Sequence, residues 1–294
     1  MTRLILIISS ICILLLLVVA MAVSAMGQMQ ASHILTFVPR SEDNREIWLV
    51  DTRTQVLFNV SHNPADDYSP VWSPDGTQLA FVSERDDNAE IYVYYFATGQ
   101  VRNISQHPSV GSNPVWIADG VKLAFVSRRD GYAEIYVADL KSGNLTNISR
   151  YPGDDIAPIP SPNNPDAPAE ILYTSTREGN IEIMIRDIDT GQALNISRHP
   201  ADDYQPHWSR DGKYMSFEST RGNGIETYIY SRDDETLVNL GIDRADDYAA
   251  DWSPVDDRVV FESTFNSNAE IFLYSLEAQA YTNLSNREKK NKNP

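Results

Sequence analysis

The sequence predicts an all-β chain: a six-bladed β-propeller of four-stranded antiparallel blades, preceded by one N-terminal apolar helix. Three observations carry this. A block built around a glutamate recurs at Glu46 (EIWLVD), Glu90 (EIYVYY), Glu134 (EIYVAD), Glu182 (EIMIRD), Glu226 (ETYIYS) and Glu270 (EIFLYS), with spacings of 44, 44, 48, 44 and 44 residues. A fixed period of this length is the signature of a repeat architecture. Each block resolves into four short alternating stretches rich in aromatic and β-branched residues, separated by turn residues. No stretch after residue 26 carries the period of a long amphipathic helix.

In chain order, residues 4–26 (LILIISSICILLLLVVAMAVSAM) are uncharged and follow Arg3. At about 1.5 Å per residue they can cross a hydrocarbon core of roughly 30 Å. The alternative is a cleaved signal peptide, for which AVSA ending at Ala25 offers a small-x-small site. The length of the run favours an uncleaved anchor, and Arg3 would leave the remainder outside the cytoplasm. Both readings predict an exported, extracytoplasmic domain, periplasmic or at the cell surface. The single cysteine, Cys12, lies in this run, so the domain beyond it holds together without disulfides.

Residues 27–285 form the predicted propeller, and 286–294 a basic tail with the composition of a disordered end. Within a block, PVWSP leads to a DG turn. QLAFVS then alternates into a charged loop, and EIYVYY and a strand of the type QVRNIS follow. Sheets arranged as blades leave few exposed edges. The four extra residues of the long block fall in PSPNNPDAPAE, a proline-rich loop where insertion costs little. Two departures stand out. The first block has no PxW strand before ILTFVPR, so its inner strand is expected from around GQMQASH, from the tail, or not at all. The third has Pro160 in place of Trp, which predicts an irregular inner strand.

With 41 acidic residues against 24 basic and a net charge of −17, the chain is a poor partner for nucleic acid, which asks for a basic face. Much of the acid recurs in one segment, HPADDYxP. The propeller topology places its pairs, with the following tyrosines, around one mouth of the channel: Asp66, Asp67 and Tyr68; Asp154 and Asp155; Asp202, Asp203 and Tyr204; Asp246, Asp247 and Tyr248. The second block has SVGSNP there instead. Three readings are open: local bonding of loop amides, a contact face for a basic segment of a partner protein, or a site for a divalent cation. No calcium-loop motif singles out the last.

The six glutamates open a strand beside a charged loop and are expected to bond that loop rather than do chemistry. Trp72, Trp116, Trp208 and Trp252 are expected as wedges between blades. His62, His107 and His199 occupy the same loop of three blocks, each beside a proline or Asn-Pro turn, and the turn explains them without a metal. The Asn-x-Ser/Thr motifs at Asn59, Asn103, Asn144, Asn147, Asn195 and Asn283 recur with the repeat, which makes a structural cause simpler than glycosylation. No G-x-S-x-G elbow is present, and no catalytic residue is assigned.

The stretch PVWSPDGTQLAFVSERDDNAEIYVYYFATGQVRNIS resembles the repeat of the TolB-type propellers, also described as WD-like repeats, and the resemblance extends over about residues 33–285. It implies the propeller fold and, in function, a binding module or scaffold that meets proteins of the cell envelope, here as a monomer, through the acidic loops. TolB itself carries an α/β domain before its propeller that these residues do not show, so the expectation is a TolB-like propeller. Propellers of other families host lyases and peptidase gates. The alternative is therefore a carbohydrate lyase or hydrolase with a metal at the channel mouth.

Overall fold

The computed structural model describes residues 33–39, 44–164, 167–242, 245–264 and 269–285. The expected membrane helix at 4–26, the strand sought around 27–32 and the basic tail at 286–294 lie outside the described residues. The described elements are strands, twenty-three in all, in six antiparallel sheets. This is the six-bladed β-propeller class that the repeat predicts.

The chain divides into two compact units, 1–116 and 117–294. In the first, β1 (Ile34–Phe37), β2 (Trp48–Asp51) and β3 (Leu57–Asn59) form a three-stranded sheet. Next come β4 (Asp67–Trp72), β5 (Gln78–Ser83), β6 (Glu90–Tyr95) and β7 (Gln100–Asn103), a four-stranded sheet in chain order. The unit ends with β8 (Gly111–Trp116), the first strand of the third sheet. Its core gathers Ile47, Leu49, Val60, Leu79, Phe81, Tyr92 and Tyr94.

In the second unit the third sheet continues with β9 (Lys122–Ser127), β10 (Glu134–Asp139) and β11 (Leu145–Asn147). The fourth comprises β12 (Asp155–Pro160), β13 (Glu170–Ser175), β14 (Glu182–Asp187) and β15 (Ala193–Asn195). The fifth comprises β16 (Asp203–Trp208), β17 (Tyr214–Ser219), β18 (Glu226–Ser231) and β19 (Leu237–Asn239). The sixth comprises β20 (Asp247–Trp252), β21 (Arg258–Ser263), β22 (Glu270–Ser275) and β23 (Ala280–Asn283). In the second to fifth sheets the second and third strands are covered on both faces, which is why QLAFVS and EIYVYY read as nearly unbroken apolar runs. Each fully buried Phe or Leu among them contributes about 1.5–3 kcal/mol.

The tryptophans act as the expected wedges between sheets. The Trp116 indole N–H donates to the Val71 carbonyl at 2.9 Å, that of Trp208 to Ile159 at 3.3 Å, and that of Trp252 to the Ser216 hydroxyl at 2.9 Å, in each case in the preceding sheet. Trp72 donates to Thr36 Oγ1 at 2.6 Å in the same way.

The strand containing Pro160 is not the exception that was expected. Pro160 pairs in register with Ile171, and the irregularity of β12 is a bulge between Ile156 and Ile159. The same bulge interrupts β4, β16 and β20. It places Ser69, Ala157, Gln205 and Ala249 at φ of 53, 52, 50 and 54°, and Asn113 of β8 matches them at 51°. This left-handed conformation costs about 1–2 kcal/mol per L-residue. It is a property of every PxW strand here, not a result of losing Trp.

Candidate functional site

The acidic pairs divide by burial. The second aspartate of each, Asp67, Asp155, Asp203 and Asp247, is 0 % exposed. Three of them meet an arginine that follows the second strand of the same sheet: Arg85 at 3.1 Å from Asp67, Arg177 at 3.0 Å from Asp155 and Arg221 at 2.9 Å from Asp203. Each guanidinium also lies over core rings, as Arg221 does at 4.6 Å from the Tyr228 centroid. Burial pushes the Asp67, Asp203 and Asp247 carboxyls above their ordinary range, against the hydrogen bonds that stabilise their charge. These four carboxylates belong to the interior of the blades, not to a solvated rim.

The first aspartates clasp one blade to the next. The backbone N–H of Arg45 donates to Asp66 Oδ1 at 2.8 Å, and that of Ala133 to Asp154 at 2.8 Å. Ile181 does the same to Asp202 and Ile225 to Asp246, both at 2.9 Å. The carbonyls of these four residues accept in return from the N–H of Asp67, Asp155, Asp203 and Asp247, at 2.7–2.8 Å. In the Asp-Asp pair, one carboxylate takes the neighbour's N–H while the next backbone N–H takes its C=O. The Arg45 and Ala133 amides lower the Asp66 and Asp154 carboxyls, and the Arg45 and Arg128 guanidiniums lower them further. At the third blade Val110 replaces the acid. Only the backbone half remains there, Gly111 N–H to Ala89 carbonyl at 2.7 Å.

Among the expected contact residues, the first aspartates are the reachable acids. Asp66 and Asp154 are about one-third exposed, at 31 % and 36 %, and Asp246 is exposed. Tyr68, Tyr204 and Tyr248 are half-buried; the Tyr68 hydroxyl donates to Glu84 at 3.3 Å and that of Tyr248 to Glu262 at 2.9 Å.

A family model described as the TolB beta propeller domain matches residues 28–164 and 131–294. The chain belongs to the TolB β-propeller family. Among solved structures, TolB from Acinetobacter baumannii is 21 % identical with a TM-score of 0.57, the match covering 86 % of this chain and 63 % of that one. The present chain thus spans less than two thirds of that protein. An oligogalacturonate lyase in complex with manganese is 15 % identical with a TM-score of 0.64, over 87 % of this chain and 75 % of that one. Dipeptidyl peptidase 4 from Porphyromonas gingivalis is 13 % identical with a TM-score of 0.67, over 86 % and 44 %. At these identities the likeness is one of fold. No curated protein matches.

In this TolB-type repeat five of the six glutamates bond the asparagine that ends the last strand of their sheet, while Glu182 takes the Ser197 hydroxyl instead. The Asn59, Asn103, Asn147 and Asn283 amides donate to Glu46, Glu90, Glu134 and Glu270, and Asn239 to Glu226. The same asparagines accept from the turn beyond, as Asn103 Oδ1 does from the Gln106 N–H at 2.9 Å. The Asn-x-Ser motif recurs because the asparagine closes the blade, and its serine recurs because Ser105 and Ser149 accept from the N–H of Ile91 and Ile135 at 2.9 Å.

The histidines share a loop but not a position. His107 and His199 each accept a backbone N–H on Nδ1, from Ser109 at 3.2 Å and Ala201 at 3.1 Å. His62 sits one residue earlier in the turn, where φ is positive, as at Gln106, Arg150 and Arg198. Among the described residues no three His, Cys, Asp or Glu side chains are grouped to hold a metal. The partners that the sequence reading missed are the arginines. Their signal was present: Arg85, Arg129, Arg177 and Arg221 each stand two residues after the serine that ends a second strand.

Proposed function

We propose that this TolB-type propeller is an exported protein-binding module of the cell envelope, working as a scaffold rather than through bond chemistry. The observation that supports it is how the acid is spent. The four clasping carboxylates make joints between sheets, the four buried ones are spent inside the blades, and the accessible acids beside them give the loops a negative character. Rigid sheets that hold variable loops suit recognition of a protein surface, and the charge of −17 favours a basic partner segment. The contact residues of this reading are the accessible members of the repeated segment: Asp66, Asp154, Asp202 and Asp246 with Tyr68, Tyr204 and Tyr248. The apolar run at 4–26 would hold the module at a membrane.

The test is capture from an envelope extract of the source organism with the full chain as bait. A second bait carries Lys at the exposed Glu84 and the half-buried Glu262, which bond the tyrosines of these loops and not the clasps. Captured proteins are purified and titrated against both baits at low and high salt. A partner whose affinity falls in the Lys variant and in high salt supports the reading. Equal affinity for both baits refutes the acidic loops as the contact.

A further inference from the structure

The third blade breaks the repeat at one place, and a cavity opens there. In its siblings an asparagine two residues before the glutamate closes the carboxylate off. Asn88 donates to Glu90 Oε1 at 3.2 Å and to the His107 carbonyl at 3.1 Å. Asn180 donates to Glu182 at 2.9 Å and to the His199 carbonyl at 2.9 Å, and Asn44 to Glu46 at 3.1 Å and Asn63 at 3.0 Å. A single NH2 group thus bridges two acceptors, a carboxylate oxygen and a loop carbonyl. In the fifth blade Gly224 takes that position, and the loop itself packs at Gly222 against the Glu226 carboxyl. In the third blade the position is Tyr132, half exposed at 50 % and without an amide to give.

The result is an open cavity of about 630 Å³, walled by Tyr132, Tyr151, Pro152 and Leu145, with Glu134, Asp130 and Asn147 at its base. Glu134 is only 7 % exposed. Its Oε2 accepts from Asn147, and no described residue supplies the bond that Asn88 or the His107 N–H gives to Oε1 of Glu90. Asp130 lies on the far side of Asn147, bonded by that amide and by the Tyr136 hydroxyl. Burial raises the Glu134 carboxyl and Asp130 and Asp155 raise it further, against the Asn147 bond and Arg150. Arg150 is turned to the Asn147 carbonyl at 3.0 Å, and Arg129 is stacked on Tyr136 at 4.6 Å.

The geometry points to a binding site for one cationic side-chain head, a lysine ammonium or arginine guanidinium of a partner polypeptide, seated between Tyr132 and Tyr151 on Glu134. The missing group is a nitrogen with at least two N–H donors, and a cationic one serves best because it supplies, with the hydrogen bond, the counter-charge that a buried carboxylate lacks and a neutral amide cannot give. The Tyr132 ring adds attraction for the cation, while the Tyr151 ring already carries the Arg177 guanidinium at 4.9 Å, and Tyr151 holds in its block the position that His107 holds in the second. This rests on the protein-binding reading and gives it a specific seat, separate from the acidic loops.

The probes are acetyl-Gly-Lys-Gly-amide, acetyl-Gly-Arg-Gly-amide and acetyl-Gly-Gln-Gly-amide, titrated into the full chain with tyrosine rings labelled for NMR. Saturable shifts of the Tyr132 and Tyr151 resonances with the Lys or Arg peptide are expected, about tenfold weaker with the Gln peptide. Glu134→Gln should weaken binding by a similar factor. Tyr132→Asn refills the gap with the siblings' residue, so it should abolish binding while leaving thermal stability equal or higher, which separates a lost site from a lost fold. Shifts that are absent, or unchanged by Tyr132→Asn, overturn the proposal. If the cavity fails while an envelope partner still binds through the loops, the module reading stands and only this seat is wrong. If the cavity binds and no envelope partner is found, the reverse holds.

Discussion

Asp203 and Arg221 lie 2.9 Å apart with the carboxylate wholly buried and the guanidinium 11 % exposed. The arginine also donates to Ser219 at 2.8 Å and stacks on Phe217 and Tyr228, so the ion is held by its surroundings as much as by its counter-charge. Removing one member leaves the other charged and buried, which typically costs about 3–5 kcal/mol. Asp203→Ala and Arg221→Met are each expected to fall in that range by urea denaturation. The double variant should cost less than the sum of the two, because it leaves no orphaned charge. Additive losses would show that the two residues do not act as a pair.

Asp247 should behave in the opposite way. It is as buried as Asp203, yet the groups that favour its charge are the Ser263 hydroxyl and the Ile242 N–H at 3.0 Å, with neighbouring acids opposed and no arginine among the described residues. Burial raises its folded pKa above the ordinary 3.8, with Glu226 and Asp246 adding to the rise. A raised carboxyl binds more protons folded than unfolded, so its contribution falls as pH rises from about 4 through the folded value and then levels off. Asp247→Asn removes that penalty. It should match the parent near pH 4 and gain on it toward pH 7, ending above it. A variant that loses ground as pH rises contradicts this assignment.

Much of this was legible in the sequence because repetition multiplies a weak signal. One EIYV stretch is ambiguous, whereas six at spacings of 44 residues, once 48, set the blades, their order and the inward face of Trp116, Trp208 and Trp252. The site was less legible, for a physical reason. In Asp-Asp the two side chains of a strand point to opposite faces, so Asp202 reaches a neighbouring amide while Asp203 enters the core. Composition counts both as acid. The arginines that neutralise the buried members stand 18 or 22 residues downstream, a distance that strand register closes but local pattern does not show. The gap at Tyr132 is visible only beside Asn88 and Asn180, once the structure shows what those asparagines bond.

Asn103 joins three acidic or phenolic groups, donating to Glu90, Asp86 and Tyr92 while accepting from Gln106. Asn103→Ala should cost about 1–3 kcal/mol, the cost of leaving polar groups with unmade bonds. Asn103→Asp keeps the shape but sets a third carboxylate beside Glu90 and Asp86. It should be worse than Ala at pH 7 and recover toward it near pH 4, where the added acid is neutralised. Thermal melts of the two variants across that range check the crossing; parallel curves would rule out like-charge repulsion at this corner.

The last prediction runs toward gain. At the third blade Val110, 52 % exposed, stands where Asp66, Asp154, Asp202 and Asp246 clasp a neighbour, while the backbone half of the joint, Gly111 N–H to Ala89 carbonyl, is already made. Val110→Asp places a carboxylate opposite the Ala89 N–H and removes an exposed apolar side chain. A hydrogen bond to a charged group contributes about 1.5–3 kcal/mol where buried and less at this exposure, so a gain of about 1 kcal/mol is expected in urea denaturation. The Ala89 amide should lower this residue as the Ala133 amide lowers Asp154. Its contribution is then present above the unfolded pKa and lost as pH falls through the folded one. Asp154→Val should lose a comparable amount with the same pH dependence. If Val110→Asp is neutral while Asp154→Val is costly, the joint at the third blade differs in geometry from its siblings, and the acid there was replaced because the clasp cannot form.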